Sequence, residues 1–363
     1  MKTAKAVREP EPAAPPAQTP AACNVQRLEI DDCERWNRYV FEHPEGTFFH
    51  RAEWKRVLAR AFGHKAHYLF AERDGFVVGV LPLAEVKSML FGHSLVSTPF
   101  CVYGGILATD EVAHAALTKA AISLGEKLGV DHVEMRNRKR MHPTWLCKDQ
   151  MYVTFRRPID EDSEKNMTAI PRKQRAMVRK GIQKNLRTEI DTDTRRLYDI
   201  YSESLRNLGT PVFSRNYLRV LQKEFGSDCE VLTVLSGEQP VASVLSFYFR
   251  DEVLPYYGGS VMAARPVAGN DYMYWHVMER ARERGSRLFD FGRSKRDTGS
   301  FDFKAHWGFE PEPLAYEYYL VKAKAMPDLS PKNPKYERMI NTWRKLPLAV
   351  TRLVGPHIAR SLG

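Results

Sequence analysis

The sequence predicts an α/β protein in which one mixed-sheet domain occurs twice in tandem, and three observations support that reading. Two strand–turn–strand patterns match: YLFAERDGFVVGVLPLAEV (Tyr68 to Val86) turns at Asp74-Gly75, and EVLTVLSGEQPVASVLSFYF (Glu230 to Phe249) turns at Ser236-Gly237. A Tyr-Gly-Gly string follows each, Tyr103-Gly104-Gly105 or Tyr257-Gly258-Gly259. Next comes an amphipathic helix, His114 to Leu128 or Asp271 to Arg284, that stops at Gly129 or Gly285. A strand closes each copy, Val130 to Arg136 or Ser286 to Gly292, and its acid, Glu134 or Asp290, stands five residues after that glycine in both. The same elements in the same order, with the same punctuation, mark a duplication.

Length agrees, since 363 residues at about 100–200 per domain make two domains, or three small ones. With 43% hydrophobic and 11% aromatic residues, the chain is neither disordered throughout nor collagen-like nor a small disulfide scaffold. The five cysteines lie far apart with no C-x-x-C pair, as free thiols in a reducing compartment do. Apolar runs such as Phe76 to Ala84 fall well short of the ~20 residues a membrane span needs. The N-terminal stretch also lacks the apolar segment of a secretory signal, so a cytoplasmic protein is expected. An excess of 55 Lys+Arg over 44 Asp+Glu gives a net charge of +11. That favours polyanionic partners such as tRNA, nucleotide phosphates or an anionic membrane face.

Residues 1–22, rich in Pro and Ala without an apolar period, read as a disordered tail. The first domain is expected over 23–158, the second with the catalytic cleft over 159–321, and an appendage over 322–363. From Lys335 to Leu362 the appendage sets apolar residues, Trp343 among them, between basic ones, and Pro347 and Pro356 are expected to break it into short helices. Such a basic amphipathic segment either lies on the inner face of an anionic membrane as a peripheral contact or packs back onto the second domain.

The hairpin, strand, helix and strand resemble the core of GNAT acyltransferases, and two such domains in tandem resemble the Fem family of aminoacyl transferases. IPRKQRAMVRKGIQKNLR (Ile170 to Arg187) is similar to that family's basic helix, and FDFKAHWGFEPEPL (Phe301 to Leu314) to its Phe-Lys-x-x-x-Gly-Phe signature. NLGTPVFSRNYL (Asn207 to Leu218), VLPYYGG (Val253 to Gly259), NDYMYW (Asn270 to Trp275) and LFDFGRSKRDTGSFDFK (Leu288 to Lys304) resemble the FemAB-like branch associated with the exosortase/PEP-CTERM system. The long coiled-coil arm of some Fem enzymes has no counterpart. The resemblance implies transfer of an aminoacyl group from aminoacyl-tRNA to an amine of a cell-envelope or exopolysaccharide precursor, one that is phosphate-bearing or lipid-linked. Two alternatives stay open: an acyl-CoA donor on the same fold, and a non-catalytic binding or scaffold protein in exopolysaccharide or envelope assembly. No metal is expected, and no cofactor other than the donor; His64 and His67 have no partner ligands nearby.

Lys304 is the first candidate for chemistry. An amine attacking an ester or thioester makes a tetrahedral oxyanion, which a fixed cation stabilises. Phe301, Phe303, Trp307 and Phe309 around it exclude water and strengthen that interaction. The resemblance gives the matching lysine this oxyanion role; the plainer reading is a lysine snorkelling from an amphipathic strand. Asp290 either accepts a proton or orients the lysine, or else it makes a structural ion pair with a nearby arginine, as Glu134 would with Arg136 or Arg138. Arg293 and Lys295, with Arg296, can hold an anionic donor or acceptor.

The run from Arg172 to Arg187 contains no acid. Arg172, Lys173, Arg175 and Arg179 therefore either meet phosphates or form a solvated face, with Val178 and Ile182 turned to the core. Tyr257 and Gly258 either line the cleft or mark a strand-end bulge. Asn270 and Asp271 are placed to cap the second copy's helix. The turn before them, Arg265 to Asn270, lacks the second glycine of a coenzyme A cradle, and Pro266 removes a donor, which weighs against ordinary acetyl-CoA binding.

Overall fold

The computed structural model describes residues 21–88, 91–327 and 334–362. The tail expected over 1–22 lies outside them except for Ala21 and Ala22. The first half comprises β1 (Asn24–Arg27), α1 (Cys33–Glu42), α2 (Glu53–Phe62), β2 (Lys65–Arg73), β3 (Phe76–Ser88), β4 (Gly92–Ser97), β5 (Leu107–Ala108), α3 (Glu111–Leu128), β6 (His132–Asn137) and β7 (Leu146–Lys148). The second begins with β8 (Tyr152–Pro158), α4 (Ser163–Ala169), α5 (Arg172–Gln183), β9 (Arg187–Asp191), α6 (Arg195–Leu208), α7 (Arg215–Phe225), β10 (Cys229–Ser236) and β11 (Gln239–Phe249). It continues through β12 (Glu252–Ser260), α8 (Gly269–Glu283), β13 (Leu288–Asp290), β14 (Ser294–Lys295), α9 (Gly299–His306), β15 (Pro311–Pro313) and β16 (Ala315–Leu320). The appendage adds α10 (Pro334–Trp343) and α11 (Leu348–Ala359).

Local chemistry sets the repeated boundaries. Asp74 and Gly75 both take positive φ, 52° and 82°, in a two-residue turn that joins β2 to β3 with the twist of the strands. The Asp110 carboxylate accepts from Ala113 N to start α3, and Gly129 at φ 63° ends it. Gly285, at φ 83°, follows the end of α8 in the same way.

Two eight-stranded sheets result among the described residues. The first runs β1-β2-β3-β4-β6-β16-β7 with β5 beside β3, and the second β14-β8-β13-β12-β11-β10-β9 with β15 beside β8. Pairing is antiparallel except between β4 and β6 and between β12 and β13, the strands that flank α3 and α8. The duplicated mixed-sheet core is thus as predicted.

The boundaries expected at 158 and 321 do not separate the sheets. β8 precedes the first boundary yet pairs with β13, and β16 precedes the second yet pairs with β6. Each half therefore completes the other's sheet. Repeat-matching could not show this, because it reads local order and not long-range pairing.

The halves also share one core. Phe48 stacks on Phe247 with centroids 4.3 Å apart, and Phe62 lies 4.6 Å from Tyr217.

The appendage packs back onto the protein. Thr351 is buried, Gly355 fits against the Val212 backbone where a Cβ would approach within 3.0 Å, and Arg352 reaches Asp199 at 3.0 Å and Ser202 at 2.9 Å. His64 bonds the Arg360 carbonyl at 2.8 Å. Pro347 lies between α10 and α11 and separates them as expected, but Pro356 sits inside α11 and does not break it. The helix loses one backbone donor there, and Gly355 beside it is held in place by Val212. Leu353, Val354 and Met339 stay exposed. No helix among the described residues is long and apolar enough to cross a membrane.

Candidate active site

Pairing of β12 with β13 stops after Val253–Phe289, although β12 runs on to Ser260, so the two strands part. Beyond β13 the chain turns to β8, with Phe291 N donating to Phe155 O at 2.9 Å, and then passes through Gly292 at φ 67°. That left-handed conformation lets one residue serve two groups. Its N–H donates to Asp290 Oδ1 at 2.7 Å, and its carbonyl accepts from Lys304 Nζ at 2.9 Å.

Lys304 stands on α9, a helix and not the strand that its surroundings suggested. Thr298 caps α9 by accepting from Phe301 N. The side chain is 9% exposed, and its ammonium also donates to the Arg293 carbonyl at 3.2 Å. The Phe155 and Phe291 rings lie 5.7 and 5.9 Å from Nζ. Burial pushes its pKa down from 10.5 to about 7; the nearby Asp290 carboxylate opposes that shift and Arg293 adds to it. An ammonium has three N–H donors and two are committed here, which leaves one for a substrate oxygen.

Asp290 is fully buried. Tyr103 Oη donates to Oδ2 at 2.8 Å, Thr154 Oγ1 to Oδ1 at 2.9 Å, and Arg156 Nε stands 3.4 Å from Oδ2. With the Gly292 amide included, both oxygens are engaged on two sides. The carboxylate therefore ties the halves together and sets the Gly292 turn, and faces no open space. Its ion-pair partner is Arg156, not Arg293, Lys295 or Arg296. The sequence reading missed Tyr103, Thr154 and Arg156 in this role. Thr154 and Arg156, two apart on one strand face, would have been the signal had β8 been placed in the second sheet.

Arg293 is an exposed residue whose guanidinium lies over the Tyr152 ring at 4.8 Å and donates to Tyr316 Oη at 3.2 Å. No carboxylate pairs with it among the described residues. Lys295 Nζ sits 5.5 Å from the same Tyr152 ring. The Arg293 and Lys295 side chains thus meet at Tyr152, and Lys304 is tied to the same segment through the Arg293 carbonyl.

Helix α5 meets the same corner from the other side. Gln174 Nε2 and Trp307 Nε1 both donate to Asp271 Oδ1 at 3.0 Å, which links α5, α8 and the end of α9. Arg172, Lys173 and Arg179 face solvent, Arg175 is half-buried, and no acid pairs with them among the described residues. Val178 faces the core as expected, but Ile182 does not, being 47% exposed. Gly181 takes that place because α5 approaches Tyr272 so closely that a Cβ would lie 2.8 Å from it.

Asn270 and Asp271 do not cap α8. The helix starts at Gly269 after Ala268, which has φ 57°, and no side chain caps it. Asn270 is half-buried in its first turn, while Asp271 is spent on Trp307 and Gln174.

Tyr257 and Gly258 are not in the open part of the cleft. Tyr257 is buried, with its hydroxyl 2.7 Å from that of Tyr217. Tyr256 is the extra residue of a bulge opposite Leu245 and Ser246. The glycines serve packing: a Cβ on Gly259 would lie 2.7 Å from Ser204 of α6, and one on Gly258 3.1 Å from Val244. Tyr103 and Gly104 lie in a loop past β4, where the chain folds back to the Arg136 carbonyl, so the two Tyr-Gly-Gly strings are not structural equivalents. Among the described residues no group of three His, Cys, Asp or Glu side chains is arranged to hold a metal.

Residues 170–305 match a family model described as "Acetyltransferase (GNAT) domain", a span that runs from the start of α5 through Lys304. No curated protein sequence matches the chain. Among solved structures, FemX is similar at a TM-score of 0.64 and 15% identity, over 82% of this chain and 98% of that one. A tandem GNAT protein from the clavulanic acid biosynthesis pathway gives 0.53 and 12%, over 84% and 100%. The C-terminal DUF2156 domain of an Agrobacterium fabrum protein named as a lysylphosphatidylglycerol synthetase gives 0.53 and 13%, over 79% and 91%. The architecture is that of tandem GNAT domains, and residues 170–305 form an acyltransferase domain of that type.

Proposed function

We propose that the protein is an N-acyltransferase that moves an aminoacyl group from aminoacyl-tRNA to an amine on a phosphate-bearing cell-envelope or exopolysaccharide precursor. The observation that carries this reading is Lys304: a buried ammonium, fixed by two carbonyls among aromatic rings, with one donor left over. The acceptor amine attacks the ester carbonyl, a C–N bond forms, and the electron pair moves to the carbonyl oxygen, where the spare Lys304 N–H stabilises it. Collapse breaks the C–O bond, and the departing ribose oxygen takes the proton released by the amine. Arg293 and Lys295 hold the anionic part of a substrate beside this point, and the basic face of α5 meets phosphates of the tRNA or the acceptor. The Fem-like motifs of the second half support the same donor, and the net charge of +11 suits it.

The test is a titration against aminoacyl-tRNA, deacylated tRNA and acetyl-CoA at two salt concentrations. Preference for the charged tRNA is expected, and equal affinity for both tRNAs would count against the reading. A second reading, an acyl-CoA donor, draws on the start of α8, which no side chain caps, as the helix end at a pyrophosphate cradle requires. Coenzyme A binding without discrimination between the tRNAs would select it.

A further inference from the structure

A cavity of about 760 Å³ lies between the 295–298 loop, the segment before β8 and helix α10 of the appendage. That is within the ~300–1,000 Å³ of small-molecule sites. Arg296 and Arg344 both line it. Arg296 is held in place by its own backbone N–H, which donates to the Met151 carbonyl at 3.0 Å, and by the Phe301 ring 6.0 Å from its guanidinium. No carboxylate pairs with it among the described residues, and its Nε is buried without a hydrogen-bond partner. A buried donor left unmade costs about 1–3 kcal/mol, more on a charged group, and a ligand oxygen would recover it. Among the described residues Arg344 has only weak neutral partners, Asn341 Oδ1 at 3.4 Å and the Leu208 carbonyl at 3.3 Å. The rest of the lining mixes acceptors and amides: Asp297, Glu337, Gln150 and Asn341. Two guanidinium groups call for an anion; the carboxylates and amides call for hydroxyl groups on the same molecule.

The cavity is also close to the chemistry. The Arg293 carbonyl accepts from Lys304 Nζ, and Arg296 follows three residues later, at most about 11 Å along the chain. That distance is about one sugar ring and a phosphate.

We propose that this cavity binds the phosphorylated sugar portion of the acceptor, with phosphate oxygens on Arg296 and Arg344 and sugar hydroxyls on Glu337, Gln150 and Asn341. The appendage thereby forms one wall of the acceptor site. The assignment rests on the acceptor class proposed above.

The experiment is a calorimetric titration of the full chain with UDP-N-acetylglucosamine as the phosphorylated probe, and with N-acetylglucosamine and inorganic pyrophosphate as its separate halves. UDP-N-acetylglucosamine should bind more tightly than either half. Arg296→Gln and Arg344→Gln should each weaken it about tenfold, as the loss of a charge-assisted hydrogen bond does. Arg296→Lys, which keeps the charge and loses Nε, should recover only part of the affinity. Lys304→Met, outside the cavity, should bind the probe like wild type. Absence of probe binding, or equal binding by wild type, Arg296→Gln and Arg296→Lys, would overturn the proposal; pyrophosphate binding as tightly as the full probe would remove the sugar. Probe binding at these arginines with no aminoacyl transfer would sink the functional reading and leave the cavity assigned. Aminoacyl transfer with probe binding indifferent to the arginines would do the reverse.

Discussion

In the first half of the molecule the parallel strands β4 and β6 pair from Ser94–His132 to Val96–Glu134, and the chain itself fills the space beyond. Gly104 N and Gly105 N both bond the Arg136 carbonyl, Arg136 Nη1 donates to Cys101 O, and Arg136 Nε holds the buried Glu134 carboxylate at 2.8 Å. In the second half β12 and β13 part in the same place, but the acid there, Asp290, has no arginine from its own strand. It accepts from Tyr103 of the other half and from Thr154 of β8, it pairs ionically with Arg156 of β8, and the turn it fixes presents carbonyls to Lys304. The acid is thus a fixture of the scaffold in both copies. The copies differ just beyond that acid. An arginine closes the first, whereas a glycine turn and a helix bring a buried lysine to the second.

This difference predicts its largest effect at Lys304. Lys304→Met should lower turnover by about 10²–10³, the usual loss for one oxyanion donor. Stability at pH 7 should not fall, because the variant is freed of a buried charge. In the wild type, burial holds the folded pKa at about 7, below the unfolded 10.5, so the unfolded chain binds the proton more tightly. The penalty to folding is complete below about pH 7 and fades as pH rises toward 10.5. The oxyanion donor follows the same protonation, so the Lys304 contribution to turnover should decline as pH rises above about 7, and in Lys304→Met this limb should vanish. Near-normal turnover, or a falling limb that survives in the variant, would remove Lys304 from its role.

A smaller effect is expected at Gly292. A Cβ there meets only Val102 Cγ2 at 3.9 Å, so Gly292→Ala meets no steric block and only the left-handed φ of 67° opposes it. That strain is about 1–2 kcal/mol. If the backbone relaxes to relieve it, the amide leaves Asp290 and the carbonyl leaves Lys304. Turnover should then drop about tenfold, since each 1.4 kcal/mol in the barrier is a factor of ten. A variant that loses stability but keeps full turnover would show that the Lys304 anchor does not depend on this turn.

Much of this comparison was legible in the sequence. The duplicated hairpins, the glycine-stopped helices and the paired acids were visible because turns and caps depend on local residue types such as Asp74-Gly75 and Gly129. Lys304 stood out through its aromatic neighbours. The sequence did not show that β8 and β16 change sheets, since strand pairing is decided between residues more than a hundred positions apart. The partners of Asp290 were hidden for the same reason: Tyr103 lies 187 residues away. The Tyr-Gly-Gly strings misled in a different way. Identical residues solve different problems, a close helix approach at Gly259 and a loop folded back on the Arg136 carbonyl at Gly104 and Gly105.

The smallest effect on turnover, and the sharpest test of the comparison, is expected from Arg136→Met. If the first copy is scaffold alone, the change should act on stability. It leaves Glu134 buried without its partner, which for a broken buried pair costs about 3–5 kcal/mol. In the wild type, burial pushes the Glu134 pKa up but the Arg136 guanidinium outweighs it, and the carboxyl titrates below its ordinary value. A depressed folded pKa contributes stability above the unfolded value and loses it as pH falls through the folded one. Without Arg136, burial is opposed only by the weaker pull of His132 and Arg293, so Glu134 titrates higher than in the wild type. The variant's deficit should therefore be largest at neutral pH and shrink as pH falls and Glu134 takes up a proton. Thermal melts across this range would show the two stability curves converging, while kcat of the folded fraction at neutral pH stays at the wild-type value. A fall in kcat with the stability difference corrected for would mean that the first copy contributes to the reaction, and that the arginine closing it does more than fill the space its counterpart leaves open.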